Sequence, residues 1–162
     1  AGQGVEEVRL NWEQIKREQE GKGEGSSALG EGIPRSLPTL ARAQLVTSRA
    51  SAVGFDWPET DGVLKKLEEE IAEFKAARAR GDQRALNEEA GDLLLTLVNL
   101  CRFAGIDAEA ALRTALEKFI RRFAYLERAL AADGKGPADA TLAEMDRLWN
   151  EAKDTELPNP TP

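Results

Sequence analysis

Three long stretches of helical periodicity follow one another in this chain with only short breaks between them. They span residues 59–80, residues 82–104 after an Asp82 cap, and residues 107–132 after an Asp107 cap. Gly81 and Gly105 stand in the two breaks, and glycine readily adopts the left-handed conformation that ends a helix. This succession of amphipathic segments predicts an all-α helical bundle whose core is built by the three helices.

Two shorter helices are predicted on either side of these three. One spans residues 38–53 and ends at Gly54, and the other begins at Thr141, where Thr141 and Glu144 have the spacing of a capping box. Alanine and leucine are abundant whereas valine and isoleucine are scarce, which favours helix over strand. A strand content above about 15% would contradict this prediction, because helical periodicity runs through most of the chain.

Each of the three long helices places its apolar side chains in one arc, and we expect these arcs to face the core. The predicted core residues are Leu64, Leu67, Ile71, Phe74, Leu86, Ala90, Leu93, Leu97, Leu100, Cys101, Leu112, Leu116, Phe119, Phe123, Leu126 and Leu130. Because the break between the first two of these helices is short, they should pack antiparallel.

Composition divides the chain into four segments. Residues 1–20 predict a helix, and one interpretation of it is the remnant of a preceding repeat. Residues 21–32 are rich in glycine and predict a flexible linker. Residues 33–153 predict the helical domain, and the proline-rich residues 154–162 predict a disordered tail.

The chain contains no histidine, which excludes several kinds of site at once. Ser-His-Asp and Cys-His catalysis, His-ligated zinc and the Glu-x-x-His di-iron bundle all need that side chain. The single cysteine, Cys101, cannot form an intrachain disulfide and fits a reducing cytosol. Any acid–base or metal chemistry must therefore use carboxylates, lysine, arginine or the lone tyrosine.

Charge and hydropathy argue against two classes of partner. The chain has 29 acidic and 22 basic side chains and a net charge of −7, which does not favour a nucleic-acid backbone as ligand. No apolar run reaches the roughly 18 residues that span a bilayer, and no signal peptide is recognised. We therefore expect neither nucleic acid nor a membrane as partner, and a cytoplasmic location.

Two neighbouring helices each carry two carboxylates, three residues apart, at the margin of the apolar arc. The pairs are Glu70 with Glu73 and Glu89 with Asp92. Antiparallel packing would let the four carboxylates face one another, and a divalent cation would then offset their repulsion. Oxygen ligands without histidine or cysteine suit Mg²⁺ or Mn²⁺ rather than zinc or copper. The alternative is a solvated acidic face, which most glutamate-rich helices have.

Two cations lie on the margin of the third long helix. Lys118 and Arg122 are four residues apart, and Arg121 points further outward. Cations beside a carboxylate–metal cluster suit a polyphosphate, because they neutralise charge on its oxygens. The alternative is charge balancing between surface residues of one helix.

The acidic residues also resemble a known family. Residues 67–73 and 88–94 are similar to the E-E-x-x-E … E-x-x-D signature of the all-α nucleoside triphosphate pyrophosphohydrolases, and to the MazG branch in particular. Further similarity lies in residues 53–57, 98–102 and 117–123, so that the likeness covers about residues 5–153. Residues 11–16 and 33–38 are similar to the region that joins the two halves of full-length MazG proteins.

The resemblance implies a reaction, a cofactor and an assembly. The reaction is the Mg²⁺-dependent hydrolysis of a nucleoside triphosphate to a monophosphate and pyrophosphate, with Mn²⁺ as a substitute cofactor, in house-cleaning or regulation of the nucleotide pool. Members of the family resemble one another in forming dimers of helical bundles. A homodimer or higher homo-oligomer is therefore expected to complete the bundle.

The resemblance also implies roles for individual residues. The metal ligands would be Glu70, Glu73, Glu89 and Asp92. Glu69 would be the catalytic base or an outer-shell group for the attacking water. The substrate-binding residues would be Lys118, Arg121 and Arg122 for the nucleotide, and Trp149 for stacking on the base.

Two other functions stay open at this point. A pyrimidine-selective, dUTPase-like enzyme would be favoured by a tight substrate pocket that includes Asn99, whereas a loose pocket with a stacked Trp149 would favour broad base specificity. A non-catalytic helical dimerisation module would keep the fold, although the intact set of four carboxylates argues against it. Release of pyrophosphate from a panel of nucleotides would separate these functions.

Overall fold

The computed structural model describes residues 29–155, and these are mostly helical. The helices are α1 (Thr39–Ala52), α2 (Thr60–Arg80), α3 (Gln83–Phe103), α4 (Ala108–Ala132) and α5 (Leu142–Thr155), with a 3₁₀ turn at Pro137–Asp139 before α5. No strand occurs within residues 29–155, and the predicted all-α class is confirmed. Among these helices, none combines the length and apolarity that crossing a membrane requires. The helix predicted over residues 1–20 and most of the predicted linker and tail lie outside the described residues.

The predicted start and stop signals of the central helices are present in the structure. Gly81 after α2 and Gly105 after α3 both have φ of 68°, where a side chain would be strained. The Asp82 carboxylate caps α3 by accepting hydrogen bonds from the backbone N–H groups of Arg84 and Ala85, at 3.1 and 3.0 Å. The sequence therefore sets these helix ends locally.

The chain divides into two compact units between Glu109 and Ala110. The first unit contains α1, α2 and α3, and the second contains nearly all of α4 together with α5. The helical domain predicted over residues 33–153 stays a prediction.

In the first unit, the buried residues of α2 are spaced seven apart and form a stripe along one face of the helix. Val63 and Ala77 are fully buried, and Glu70 between them is 3% exposed. The predicted arc was centred one position away from this stripe, and Leu64 and Ile71 are in fact 43% and 39% exposed. Counting only apolar residues misses the stripe, because its middle member is a glutamate. The sequence prediction of the α2 core face was therefore wrong in its centre.

A side chain of α1 forms hydrogen bonds with the segment that joins α3 to α4. The Gln44 amide donates to the Ile106 carbonyl oxygen at 2.9 Å and accepts from the Ala108 backbone N–H at 2.8 Å. Both hydrogen-bonding functions of the amide are thus used, which fixes the loop that follows α3.

The second unit has a small core at the C-terminal half of α4. Leu126, Leu130 and Leu148 are buried there, with Met145 packed against them. The predicted arc of α4 is correct at this end. Three predicted core residues nearer the start of the helix are more than half exposed, namely Leu112, Leu116 and Phe119.

Candidate active site

Three of the four predicted metal ligands lie together. Carboxylate oxygens of Glu70 and Glu73 on α2 and of Glu89 on α3 all lie within 4.8 Å of one another. Glu70 is buried, Glu89 is half-buried and Glu73 is exposed, so the group reaches from the interior of the helix pair to its surface. The short turn between α2 and α3 brings the two acidic segments side by side.

Glu70 is the buried end of this group, and its two oxygens have different surroundings. Oε1 lies 2.5 Å from the Lys66 ammonium, one helical turn earlier on α2. Oε2 is buried and has no hydrogen-bond partner within the described part of the chain. Since a buried carboxylate oxygen without a partner is costly, this atom is suited to a ligand.

The Lys66 ammonium also reaches a second carboxylate, Glu69, at 3.3 Å. The hydrogen bond with Glu70, as the main cause, and that with Glu69, as a smaller one, raise the pKa of Lys66 to about 12. Lys66 is therefore a permanent cation at the edge of the acidic group. Sequence reasoning missed it, although its i, i+4 spacing from Glu70 was a visible signal.

Among the three grouped carboxylates, Glu89 has a pKa that the neighbouring negative charges shift. Loss of hydration, followed by the negative charges of Glu73, Glu70 and Asp92, raises the pKa of the Glu89 carboxyl above its ordinary value. Asp92 is exposed and stands outside the group of three, but it is close enough to act on Glu89. Glu89 is thus repelled by the other three predicted ligands.

These observations fit a divalent metal ion. Among the described residues, the donors are carboxylates alone, one of their oxygens is buried without a hydrogen-bond partner, and the group carries more negative charge than Lys66 offsets. Hard oxygen donors of this kind suit Mg²⁺ or Mn²⁺. Glu70, Glu73 and Glu89 can therefore hold such an ion, with Asp92 within electrostatic range.

Glu69, the predicted base, differs from Glu70 in being exposed to solvent. Its side chain is 56% exposed, and it forms an ion pair with the Lys66 ammonium. Exposure leaves the carboxylate accessible to water, which a general base for a water molecule needs.

Asn99 is buried in α3 and belongs to a polar network. Its Oδ1 accepts from Nε and Nη2 of Arg102, at 3.3 and 3.0 Å, and its Nδ2 donates weakly to the Leu95 carbonyl at 3.4 Å. Arg102 in turn donates two short hydrogen bonds to Asp56. The acceptor oxygen of Asn99 is therefore already occupied within the protein.

The predicted substrate-binding residues beyond Asn99 lie in the second unit. Lys118 and Arg121 are exposed on α4, and the Arg122 guanidinium lies 5.8 Å from the centre of the Trp149 ring. The Phe119 ring contacts Trp149 at a centroid distance of 4.9 Å. Trp149 also lines an apolar cavity of about 310 Å³, together with Phe119, Phe123, Leu126, Leu142, Met145 and Asp146. Of the three predicted cations, Arg122 is thus the one that the structure places beside the aromatic rings within the described residues.

The first unit is a helical domain that gathers carboxylates from two adjacent helices around a buried glutamate, and this group can hold a divalent metal ion. Comparison with known proteins narrows this class, because residues 59–125 match the family model of the MazG nucleotide pyrophosphohydrolase domain. This chain therefore carries a domain of the MazG family, and the resemblance stated from its sequence is confirmed.

The similarity extends well beyond that domain. The chain is 46% identical over 153 residues to the nucleoside triphosphate pyrophosphohydrolase of Escherichia coli (strain K12), covering 93% of this chain and 58% of the relative. It is 43% identical over 142 residues to the nucleoside triphosphate pyrophosphohydrolase/pyrophosphatase MazG of Thermotoga maritima, covering 88% and 54%. An uncharacterized Bacillus subtilis protein, YabN, is 39% identical over 155 residues, covering 95% and 31%. The chain thus spans somewhat more than half the length of the Escherichia coli and Thermotoga maritima relatives, and less than a third of the length of YabN.

Proposed function

We propose that this chain hydrolyses nucleoside triphosphates to nucleoside monophosphate and pyrophosphate with Mg²⁺, or with Mn²⁺ in its place. The observation that carries this proposal is Glu70, a buried glutamate with one oxygen that has no partner within residues 29–155. It is grouped with Glu73 and Glu89 inside a MazG domain. Relatives whose names state this activity match most of the chain at 43% and 46% identity.

The four predicted carboxylates are the proposed metal ligands. Glu70 supplies the buried oxygen, Glu73 and Glu89 complete the group, and Asp92 joins them from the exposed side of α3. A bound Mg²⁺ would lower the pKa of a coordinated water and neutralise charge on the phosphates. Because the chain has no histidine, we assign the acceptance of the water proton to Glu69, whose exposed carboxylate is accessible to solvent.

The second unit is proposed to bind the nucleotide. Lys118, Arg121 and Arg122 would take phosphate oxygens, since guanidinium and ammonium groups donate charge-assisted hydrogen bonds to them. Trp149 would stack on the base. Its place on the wall of an apolar cavity of about 310 Å³, at the lower end of the size range of ligand sites, supports this role.

Broad base specificity is favoured over a pyrimidine-selective, dUTPase-like function. The Oδ1 of Asn99 already accepts two hydrogen bonds from Arg102, which leaves little capacity for selecting a base through that oxygen. Stacking on Trp149 does not discriminate strongly, because every base has a π-face. Such an enzyme would act on the cytoplasmic nucleotide pool, as house-cleaning or regulation.

We also propose that two copies of the chain associate. Four apolar side chains of α4 are more than half exposed, namely Leu112, Leu116, Phe119 and Ile120. An apolar patch of this kind on a soluble chain is typical of a surface that another protein covers. The commonest soluble assembly is a symmetric homodimer, so a second copy is the proposed partner.

One assay tests the proposed activity. Pyrophosphate release from the eight common ribo- and deoxyribonucleoside triphosphates should require Mg²⁺ and should differ little between bases. Activity confined to one pyrimidine would favour the dUTPase-like alternative. No release from any nucleotide by a folded, metal-supplied chain would favour the non-catalytic dimerisation module. Sedimentation at micromolar concentration should show a species larger than the 17.7 kDa monomer.

A further inference from the structure

The two oxygens of Glu70 are divided between two environments, and Lys66 makes the difference. The Lys66 ammonium takes Oε1 at 2.5 Å, whereas Oε2 is buried without a hydrogen-bond partner among residues 29–155. A carboxylate with one oxygen fixed in this way cannot rotate freely about its last bond. The unsatisfied oxygen therefore keeps one direction.

Lys66 is well placed to hold that orientation. It precedes Glu70 by one helical turn, so the backbone of α2 fixes the distance between them. Its side chain is 34% exposed while that of Glu70 is 4% exposed, so the ammonium approaches the carboxylate from the solvent edge. Among the described residues, Lys66 is the one cation that forms an ion pair with any of Glu70, Glu73 and Glu89.

We propose that Lys66 is a positioning residue of the metal centre, which holds Oε1 of Glu70 so that Oε2 is the oxygen presented to the divalent ion. This inference rests on the proposed metal-dependent function and assigns Lys66 a role that lasts when the ion is bound. Outer-shell partners of this kind orient ligating groups, and their loss typically lowers metal affinity about 10- to 100-fold.

A competing role for Lys66 predicts the opposite sign. If the ammonium only neutralised the acidic group in the absence of metal, it would repel an incoming cation, and its removal would strengthen metal binding. The separate use of the two oxygens favours positioning, because a carboxylate can accept hydrogen bonds on one oxygen and still offer the other.

Binding of Mn²⁺ to the full chain, measured by calorimetry and by electron paramagnetic resonance, separates the two roles. Lys66→Met should weaken binding about 10- to 100-fold, and Lys66→Arg, which keeps both charge and donors, should restore most of it. Lys65→Met is the matched control: it makes the same change one residue earlier, at an exposed side chain, and should leave the affinity unchanged. An unchanged or higher affinity in Lys66→Met would overturn the proposal.

A second variant separates a folding effect from an effect on positioning. Lys66→Met leaves Glu70 without its counter-ion, so its melting temperature without metal should fall. Lys66→Gln retains a hydrogen-bond donor, and should remain folded with an affinity between those of Lys66→Met and the wild type. If folded Lys66→Gln and Lys66→Met both bind Mn²⁺ with wild-type affinity, the positioning role of Lys66 is rejected, whereas the proposed metal-dependent function is not. Absence of Mn²⁺ binding in the wild type would reject the proposed metal-dependent function as well.

Discussion

Asp56 and Arg102 join the segment before α2 to the end of α3 through two parallel hydrogen bonds. Nη1 and Nη2 of Arg102 lie 2.7 and 2.6 Å from the two carboxylate oxygens of Asp56. The Arg102 guanidinium, as the largest influence, lowers the pKa of the Asp56 carboxyl below its ordinary value. Because both side chains are largely buried, this pair is expected to contribute more to stability than a surface ion pair does.

We predict that Asp56→Asn lowers the free energy of unfolding at neutral pH by about 1.5–3 kcal/mol, the range for hydrogen bonds to charged groups. The folded-state pKa of Asp56 lies below its unfolded value, so the contribution is complete above the unfolded pKa. It is lost as the pH falls through the folded-state pKa. Urea unfolding at a series of pH values should show the wild type and Asp56→Asn converging in acid.

The matched control for this prediction is an exposed ion pair. The guanidinium of Arg84 and the carboxylate of Glu88 lie 3.2 Å apart with mostly solvated side chains. Glu88→Gln should therefore change the stability by no more than about 0.5 kcal/mol. If Asp56→Asn has an effect as small as this, or one that does not depend on pH, the Asp56–Arg102 pair does not have the assigned role.

Gly62 and Gly91 should respond to alanine with opposite signs. A Cβ on Gly62 would lie 2.8 Å from Cδ1 of Trp57, whereas a Cβ on Gly91 would have no neighbour within 4 Å in the described part of the chain. Gly62→Ala should destabilise the protein by about 1–3 kcal/mol through overpacking. Gly91→Ala should stabilise α3 by about 0.5–1 kcal/mol. Thermal unfolding of both variants tests this, and a stabilised Gly62→Ala would show that Trp57 moves away at little cost.

Trp149 is predicted to bind the base rather than to anchor α5. Leu148 and Ala152 are buried on that helix, while Trp149 is only half-buried and borders the cavity. Trp149→Ala should raise KM from several-fold to about a hundredfold for all bases alike, corresponding to about 1–3 kcal/mol of stacking, with a smaller effect on kcat. Leu148→Ala, by contrast, should lower the stability by about 2–5 kcal/mol. A melting temperature several degrees lower with an unchanged KM in Trp149→Ala would make Trp149 an anchor.

Lys118 is predicted to act on the triphosphate. Lys118→Gln should lower turnover and weaken binding of the triphosphate more than that of the monophosphate, because it removes a cation from the phosphate oxygens. Arg128→Gln, an exposed change on the same helix, serves as the control. Equal weakening of triphosphate and monophosphate binding would place Lys118 away from the terminal phosphates.

The ends of the helices could be predicted from the sequence because they depend on local chemistry. Asp82 caps α3, and Gly81 and Gly105 end helices at positive φ, as their residue types indicate. The buried face of α2 could not be centred correctly, because Glu70 occupies it. Periodicity treats a glutamate as a surface residue, and only tertiary contacts show that this one is buried.

The grouping of three predicted carboxylates could also be predicted, but the ion pairs near them could not. The spacing of Glu70, Glu73 and Glu89 and the short turn between two helices were enough to place them together. The ion pairs of Lys66 with Glu70 and of Arg102 with Asp56 were not predicted. Charged side chains are common in such a chain, and a single sequence does not show which of them are in contact. The pairing of Asp56 with Arg102, 46 residues apart, is set by the fold alone.

The central claim is that the carboxylate group of α2 and α3 supports metal-dependent release of pyrophosphate. The most direct measurement compares pyrophosphate release with Mg²⁺ by the wild type, Glu89→Gln and the control Glu88→Gln, together with their melting temperatures without metal. Glu89→Gln should abolish release and be at least as stable as the wild type, because it removes one of several repelling charges. Glu88→Gln should remain active. Full activity in Glu89→Gln, or a loss explained by its unfolding, would contradict the account.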